Sequence, residues 1–328
     1  MFALYLFAAT VVVPLTDTTS PDLAVASAAP ITSTGLNRPF DDGRVGFSVM
    51  TRDGLKLEYS EFALFVSPGE DLEFSATEPV RWRVGTDGAD TDPQQEFSWR
   101  APQDPGHHRI ALTHESGEGM TLNVIVMQRQ EPGQDRINGY RIGEYPVEPY
   151  RGRDNYRAPE YFVEVTDGIE DIPLSPHFRL GQFLCKQEAG DGPAYLVVSE
   201  GLVLKLEGIL QAANDRGWHA DTFTVMSGYR TPAYNAGLGN GRNSRHIYGG
   251  AADIFIDTDR NGVMDDLNGD GQLDRLDAAV LYDLVESLSA SGTDSWQAGG
   301  LGEYGPSSHH GGFVHVDERG YRARWGRG

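Results

Sequence analysis

The sequence predicts two folded regions of different class: an N-terminal all-β sandwich of immunoglobulin-like size, then a C-terminal α+β domain built on a small antiparallel sheet. Three observations predict it. From Val45 to Met127 apolar and polar residues alternate, and turn dipeptides recur at short intervals. Past residue 175, helix-spaced apolar patterns are interleaved with short apolar runs. Between the two regions, the stretch 134–174 is rich in Pro, Gly, Arg and Tyr and has neither period.

In the first region Leu55, Leu57 and Tyr59 alternate with Lys56, Glu58 and Ser60, and Met120, Leu122, Val124 and Val126 repeat the pattern. Period-two alternation turns one set of side chains to a core face. Asp53-Gly54, Pro68-Gly69, Asp87-Gly88 and Pro105-Gly106 mark the turns. Short strands at this spacing indicate a sandwich, placed at 31–133 with a polar lead up to residue 44. The stretch 134–174 reads as an extended linker packed along the next domain. In the second region, 175–328, Leu202, Leu206, Ile209, Leu210 and Ala213 predict an amphipathic helix over 199–216, stopped by Gly217. Leu281, Leu284, Val285 and Leu288 predict another over 276–289. Strands are expected at 222–226, 251–256, 299–304 and 312–317, which makes the domain α+β.

Composition narrows the function. A net charge of -21 argues against nucleic acid, whose binding needs a basic footprint, and against an anionic membrane surface. The single cysteine, Cys185, excludes an intramolecular disulfide and a cysteine zinc knuckle. Residues 1–15 are apolar but short for a membrane span, and Ala26-Ser27-Ala28 offers a small-x-small cleavage site. Residues 1–30 are therefore expected to be a signal peptide or N-terminal anchor, and the protein to be exported, periplasmic or held at the cell envelope. No Lys or Arg precedes Arg38, so the usual positive leader is missing.

Chemistry concentrates in Ser244-Arg245-His246-Ile247-Tyr248-Gly249-Gly250-Ala251-Ala252-Asp253 and in Phe313-Val314-His315-Val316-Asp317. Imidazole and carboxylate both bind Zn²⁺, and catalytic zinc takes three protein ligands with one position left open. The pattern Ser-x-His-x-x-Gly-x-Ala-x-Asp followed by a distant strand histidine resembles the zinc peptidases of the bacterial D-Ala-D-Ala carboxypeptidase and murein endopeptidase superfamily. Vancomycin-resistance dipeptidases and the hedgehog amino-terminal domain share that superfamily. Gly299-Gly300-Leu301-Gly302-Glu303-Tyr304 ahead of Phe313-Val314-His315 looks most like the periplasmic murein endopeptidase branch.

The resemblance implies an exported zinc metallopeptidase cutting cross-links or stem peptides of bacterial peptidoglycan. Both the choice of D,D or L,D bond and that of endopeptidase or carboxypeptidase action stay open. It implies zinc on His246, Asp253 and His315. Arg230, in Ser227-Gly228-Tyr229-Arg230, matches the arginine that stabilises the oxyanion or the substrate carboxylate. Many members carry an acid three positions before the last histidine; here that position is Gly312. The substitutes are His309, His310 and Asp317. His310 is favoured as base, with His309 second, and Asp317, two residues from His315 on one strand face, is expected to orient that ligand. Without the acid, a catalytically silent peptidoglycan-binding module is the alternative. The β-sandwich would serve as a cell-wall or protein contact.

A further acidic segment, 257–277, holds seven Asp and two Arg. Asp257, Asp259, Asn261 and Asp265 place oxygen donors at alternate positions with Gly262 sixth, the spacing of a calcium loop. Asp266, Asn268, Asp270, Gln272 and Asp274 repeat it, with Gly271 sixth and Asp277 twelfth. The second copy, with a helix following it, is expected to be the stronger structural Ca²⁺ site. These loops also support a third reading, a calcium-dependent structural or adhesion protein.

Overall fold

The structure, a computed structural model, describes residues 39–190, 192–291 and 298–327. The expected signal peptide or anchor at 1–30, and residues 31–38, lie outside the described residues.

The β-rich region is present. It holds β1 (Arg44–Thr51), β2 (Lys56–Tyr59), β3 (Glu61–Val66), β4 (Asp71–Val84), β5 (Gln94–Arg100), β6 (Gly106–His114) and β7 (Gly119–Val126). These strands form one nearly closed hydrogen-bonded sheet in the order β2-β1-β4-β6-β7-β3, with β5 also on β4. The immunoglobulin-like expectation was of two separate sheets. The long strand β4 accounts for the difference. Its first half pairs with β1 and its second half with β6, and its register against β5 shifts between Ser75 and Val80. Pro79 lies in that shift, where a residue without an N–H interrupts the ladder. Inward residues of the alternating pattern, Leu57, Phe74, Trp82, Ile110 and Leu122 among them, are buried.

The stretch 134–174 has structure of its own. The strands β9 (Arg136–Ile137) and β10 (Tyr140–Arg141) pair as a short ribbon. β11 (Tyr161–Val165) pairs with β8 (Gln128–Arg129) on one side and β12 (Ala194–Leu196) on the other.

The C-terminal region is α+β. Helix α1 (Glu200–Asp215) starts at Ser199, whose hydroxyl accepts from Gly201 N–H at 3.2 Å, and buries Leu202, Leu206, Ile209, Leu210 and Ala213. Gly217, at φ +84°, follows its end. The short helix α2 (Pro232–Gly237) and the longer α3 (Arg275–Ser291) are the other α-helices among the described residues. The sheet runs β13 (Thr224–Ser227), β14 (Ala251–Phe255), β16 (Phe313–Asp317), β15 (Gly300–Tyr304), β17 (Ala323–Trp325). Neighbours are antiparallel except for β15 with β17.

Residues from Phe40 onward form one contact unit, and helix α1 joins its β-rich and α+β parts. Glu200 accepts from Phe65 N–H at 3.1 Å. Glu207, buried on the same helix, accepts from His177 N–H and faces His177 Nδ1 at 2.7 Å. His177 Nε2 meets the Asp41 carbonyl at 2.9 Å, and its ring stacks on Phe40. Both ring nitrogens face acceptors, so the geometry is that of the imidazolium. Burial pushes the His177 pKa down, but the Glu207 carboxylate and the Asp41 carbonyl outweigh it and raise the group above 6.5. A raised folded-state pKa stabilises fully below the unfolded value, and that stability is lost as pH rises through the folded one. His177→Gln should therefore flatten the part of the unfolding free energy that falls as pH climbs above 6.5, measured by urea titration across that window.

Candidate metal centre

Register across the C-terminal sheet builds the site. Ser227 pairs with Asp253, Asp253 with His315, His315 with Gly302, and Gly302 with Trp325. Paired residues point to one face, so this row crosses all five strands on one surface. His246 comes from outside the row, on the 3-10 turn Arg245–Tyr248. Gly249 closes that turn at φ +67°, and a Cβ there would lie 2.5 Å from the Val197 carbonyl oxygen. Only glycine meets both conditions.

His246 Nε2, Asp253 Oδ1 and His315 Nδ1 form a triangle with sides of 3.2, 2.8 and 3.2 Å. All three residues are buried. His246 Nδ1 lies 2.7 Å from the Gly228 carbonyl, which can only accept, so the proton sits on Nδ1 and Nε2 presents a lone pair. His315 Nε2 lies 3.0 Å from Asp317 Oδ2, which likewise leaves Nδ1 as the lone-pair nitrogen. Two lone pairs and a carboxylate oxygen thus face one another out of water. A cation reconciles them. Tetrahedral zinc, with ligands at about 2.0–2.2 Å, sets its donors roughly 3.3 Å apart, close to the triangle seen. The donor set of two imidazoles and a carboxylate suits that ion and leaves a fourth position open.

Electrostatics around the triangle are consistent with this. Burial pushes His246 down, which keeps its imidazole neutral and able to ligate. Burial acts to raise Asp253, but the two imidazoles outweigh it and hold the carboxyl well below the usual range. For His315 burial acts downward, and the carboxylates of Asp253 and Asp317 overcome it and raise the group to about 9. A metal held by His246, Asp253 and His315 would have to displace the proton that this raised pKa favours on His315.

Arg230 reaches Asp253 rather than open space. Its Nη2 pairs with Asp253 Oδ2, and its Nε donates to Ser227 Oγ at 2.7 Å. It therefore holds the ligand carboxylate with Oδ1 turned to the imidazoles. Asp317 is fully buried and saturated. Oδ1 accepts from Gly300 N–H at 2.7 Å and Arg319 N–H at 3.0 Å, and Arg319's guanidinium meets both oxygens. Such a carboxylate fixes the His315 ring and has no capacity left to accept a further proton. His310 Nδ1 contacts the Gly311 carbonyl at 2.8 Å, and its ring meets Phe313 edge-on at 5.0 Å. His309 is exposed and bonds through its backbone N–H to Ser307 Oγ. Gly312, where the resemblance reserves an acid, is turned elsewhere: a Cβ there would meet Met264 Sδ at 3.3 Å and Ala278 Cβ at 3.7 Å.

Several contributors have weak sequence signals. The Gly228 carbonyl sets the His246 tautomer. Tyr145, from the stretch read as a linker, donates to the Ile247 carbonyl at 2.8 Å and lies 3.0 Å from the Tyr229 hydroxyl. Buried Lys205 donates to the Asp317 carbonyl at 2.7 Å. Trp325 packs its ring on His315 at 5.1 Å. The tyrosine content of 134–174 was the one trace of these roles in the sequence reading.

The acidic segment folds as two similar loops. Asp257 accepts from Asn261 and Gly262 N–H, and Asp266 accepts from Asp270 and Gly271 N–H in the same way. Carboxylate oxygens of Asp257, Asp259 and Asp265 lie within 4.8 Å of one another. Among the described residues the second loop, expected to be the stronger site, gathers no such trio. Its Asn268 and Gln272 are neutral, Asp274 caps α3 by accepting from Leu276 N–H, and Asp277 is buried, accepting from Leu267, Asn268 and Asp274 N–H.

Comparison with known proteins fits the site. Residues 176–267 match the family model described as Peptidase M15, the D-Ala-D-Ala carboxypeptidase family. The match covers under a third of the chain and places an M15-like peptidase domain at residues 176–267. The match includes Arg230, His246 and Asp253, while His315 lies beyond it and is brought in by the sheet. No curated protein matches the chain. Among solved structures, SGBP-B of the Bacteroides ovatus mixed-linkage glucan utilization locus, in complex with a mixed-linkage heptasaccharide, is similar at 12% identity. The TM-score is 0.16, over 28% of this chain and 33% of that one, too low to carry an argument.

Alanine at His246, Asp253 or His315 should abolish stoichiometric zinc by elemental analysis. Asp317→Asn, which removes charge behind a ligand that stays in place, should weaken zinc affinity by about 10–100-fold in a chelator competition.

Proposed function

We propose that the protein is an exported zinc peptidase that hydrolyses peptide cross-links or stem peptides of bacterial peptidoglycan. The observation that carries this reading is the buried triangle of His246 Nε2, Asp253 Oδ1 and His315 Nδ1 within and beside an M15 domain. Zinc held there would supply Lewis acidity toward a peptide carbonyl and toward water. The chain's residues do the rest. Arg230 holds Asp253 by its second oxygen and brings a positive charge to the edge of the site. Asp317 and Arg319 fix the imidazole of His315. His310, whose Nδ1–H is committed to the Gly311 carbonyl, presents Nε2 as a base for the attacking water. His309 is the reserve for that role. The β-rich region is read as a wall or partner contact, and the loops at 257–265 as a structural Ca²⁺ site, with the second loop bracing α3.

A silent peptidoglycan-binding module is the second reading, favoured by the missing acid at Gly312. Mass spectrometry of muropeptide digests separates the two. The zinc-loaded protein should yield cleaved products and His246→Ala none; intact muropeptides from the zinc-loaded protein would reject the peptidase reading. His310→Ala should lower turnover by about 10²–10⁴-fold with zinc content near one. For the acidic loop, a ligand that binds only the folded state stabilises by about 2.7 kcal/mol at roughly a hundredfold excess over its dissociation constant. Millimolar Ca²⁺ should raise the melting temperature of the zinc-loaded protein, and Asp257→Asn should reduce that rise.

A further inference from the structure

The face that bears the metal triangle also bears a continuous aromatic rim. Gly302 has no side chain, and the indole of Trp325 occupies the vacated space: a Cβ on Gly302 would lie 2.3 Å from Trp325 Nε1. The indole reaches back to His315 at 5.1 Å and carries Arg319 over its ring at 4.9 Å. Its N–H donates to the Tyr304 hydroxyl at 2.8 Å. Tyr304 stands two residues along β15 from Gly302, on the same face. Its ring stacks on Phe313 at 4.5 Å and 7°. Phe313 stands two residues from His315 on β16 and receives the edge of His310.

One proton on this rim is left without a partner among the described residues. An indole N–H can only donate, so the Tyr304 oxygen accepts from Trp325 and its own hydroxyl proton points elsewhere. That proton has no acceptor among the described residues, and Tyr304 is 37% exposed. The ring plane is clamped by Phe313 and the hydroxyl is oriented by the indole. The result is a fixed hydrogen-bond donor, open to solvent, on the sheet face that bears His315. A fixed donor of this kind stabilises negative charge as it develops on an oxygen, because no reorganisation is needed at the moment of reaction.

We propose that Tyr304 contacts the substrate, donating its hydroxyl hydrogen bond to a carbonyl oxygen of peptide bound across the row from Ser227 to Trp325, and that Trp325 acts through Tyr304 as a positioning residue. This rests on the peptidase reading. No proton is transferred; the bond strengthens as charge builds on the carbonyl. A donor is thereby supplied on the opposite side of His315 from Arg230, whose guanidinium is committed to Asp253 and Ser227.

The test uses the full-length zinc-loaded protein and purified cross-linked muropeptide dimers, with zinc content and melting temperature measured on each variant. Tyr304→Phe keeps the stacked ring and removes only the hydroxyl. Its kcat/KM should fall by about 10–1000-fold with zinc content and melting temperature unchanged. Trp325→Phe should lower kcat/KM in the wild-type background and cost nothing further in the Tyr304→Phe background, because its N–H works through the hydroxyl already removed. Unchanged kcat/KM in Tyr304→Phe overturns the contact, as does a loss that tracks loss of zinc. Equal losses from Trp325→Phe in both backgrounds overturn the positioning role. If the wild-type protein leaves the dimers intact, the peptidase reading itself fails and this one with it, an outcome distinct from an active wild type beside a fully active Tyr304→Phe.

Discussion

Three unshared electron pairs meeting in a buried space are the constraint on which the C-terminal domain is built. His246 and His315 each have one ring nitrogen committed to a fixed acceptor, so the other must turn a lone pair inward, toward a carboxylate oxygen. The surroundings answer the charge this creates. Each buried acid around the site has its own guanidinium: Asp253 has Arg230, Asp317 has Arg319 and Glu318 has Arg245. Lys205 adds a cation beneath the Asp317 backbone. Buried ions are costly unless paired and hydrogen-bonded, and here the pairing extends outward from the triangle in every direction described.

How much of this was legible in the sequence depends on whether the information is local. The helices α1 and α3 were visible because their apolar residues recur at helical spacing, and the five-residue strands at Ala251 and Phe313 because short apolar runs bracket them. The metal residues were visible because His246, Asp253 and His315 fall on the ligand positions of the zinc-peptidase pattern that the sequence resembles. What stayed hidden depends on partners distant in sequence. The break in β4 at Pro79 reads as an ordinary strand interruption until β1 and β6 are seen on either side of it. β17 is three residues long and mixes Ala, Arg and Trp, so no periodicity announces it. Asp277 fits a calcium position by spacing, yet burial and three backbone N–H groups show that it braces a helix start.

The glycines near the site share a purpose that a motif alone does not reveal. Gly249 supplies a left-handed turn, whereas Gly300 and Gly302 supply emptiness. A Cβ on Gly300 would lie 2.4 Å from Asp317 Oδ2, and one on Gly302 would strike the Trp325 ring. Both are places where β15 must be bare so that a neighbour's functional side chain can lie flat across it. The Gly-Gly-x-Gly pattern is thus a cleared floor beneath the imidazole and its carboxylate.

The wiring of the site has a consequence for how the chain folds. His246 meets His315 across 69 residues, Tyr145 meets Ile247 across 102, and Phe65 meets Glu200 across 135. No short segment holds the ligands in register, so each of these closures costs chain entropy before any contact rewards it. A nascent chain that has emerged only through Asp253 has two of the three ligands and nothing to close the triangle. A metal bound by this triangle would therefore be captured at a late stage of folding, after the C-terminal strands have joined the sheet; one met earlier would find only scattered histidines and acids.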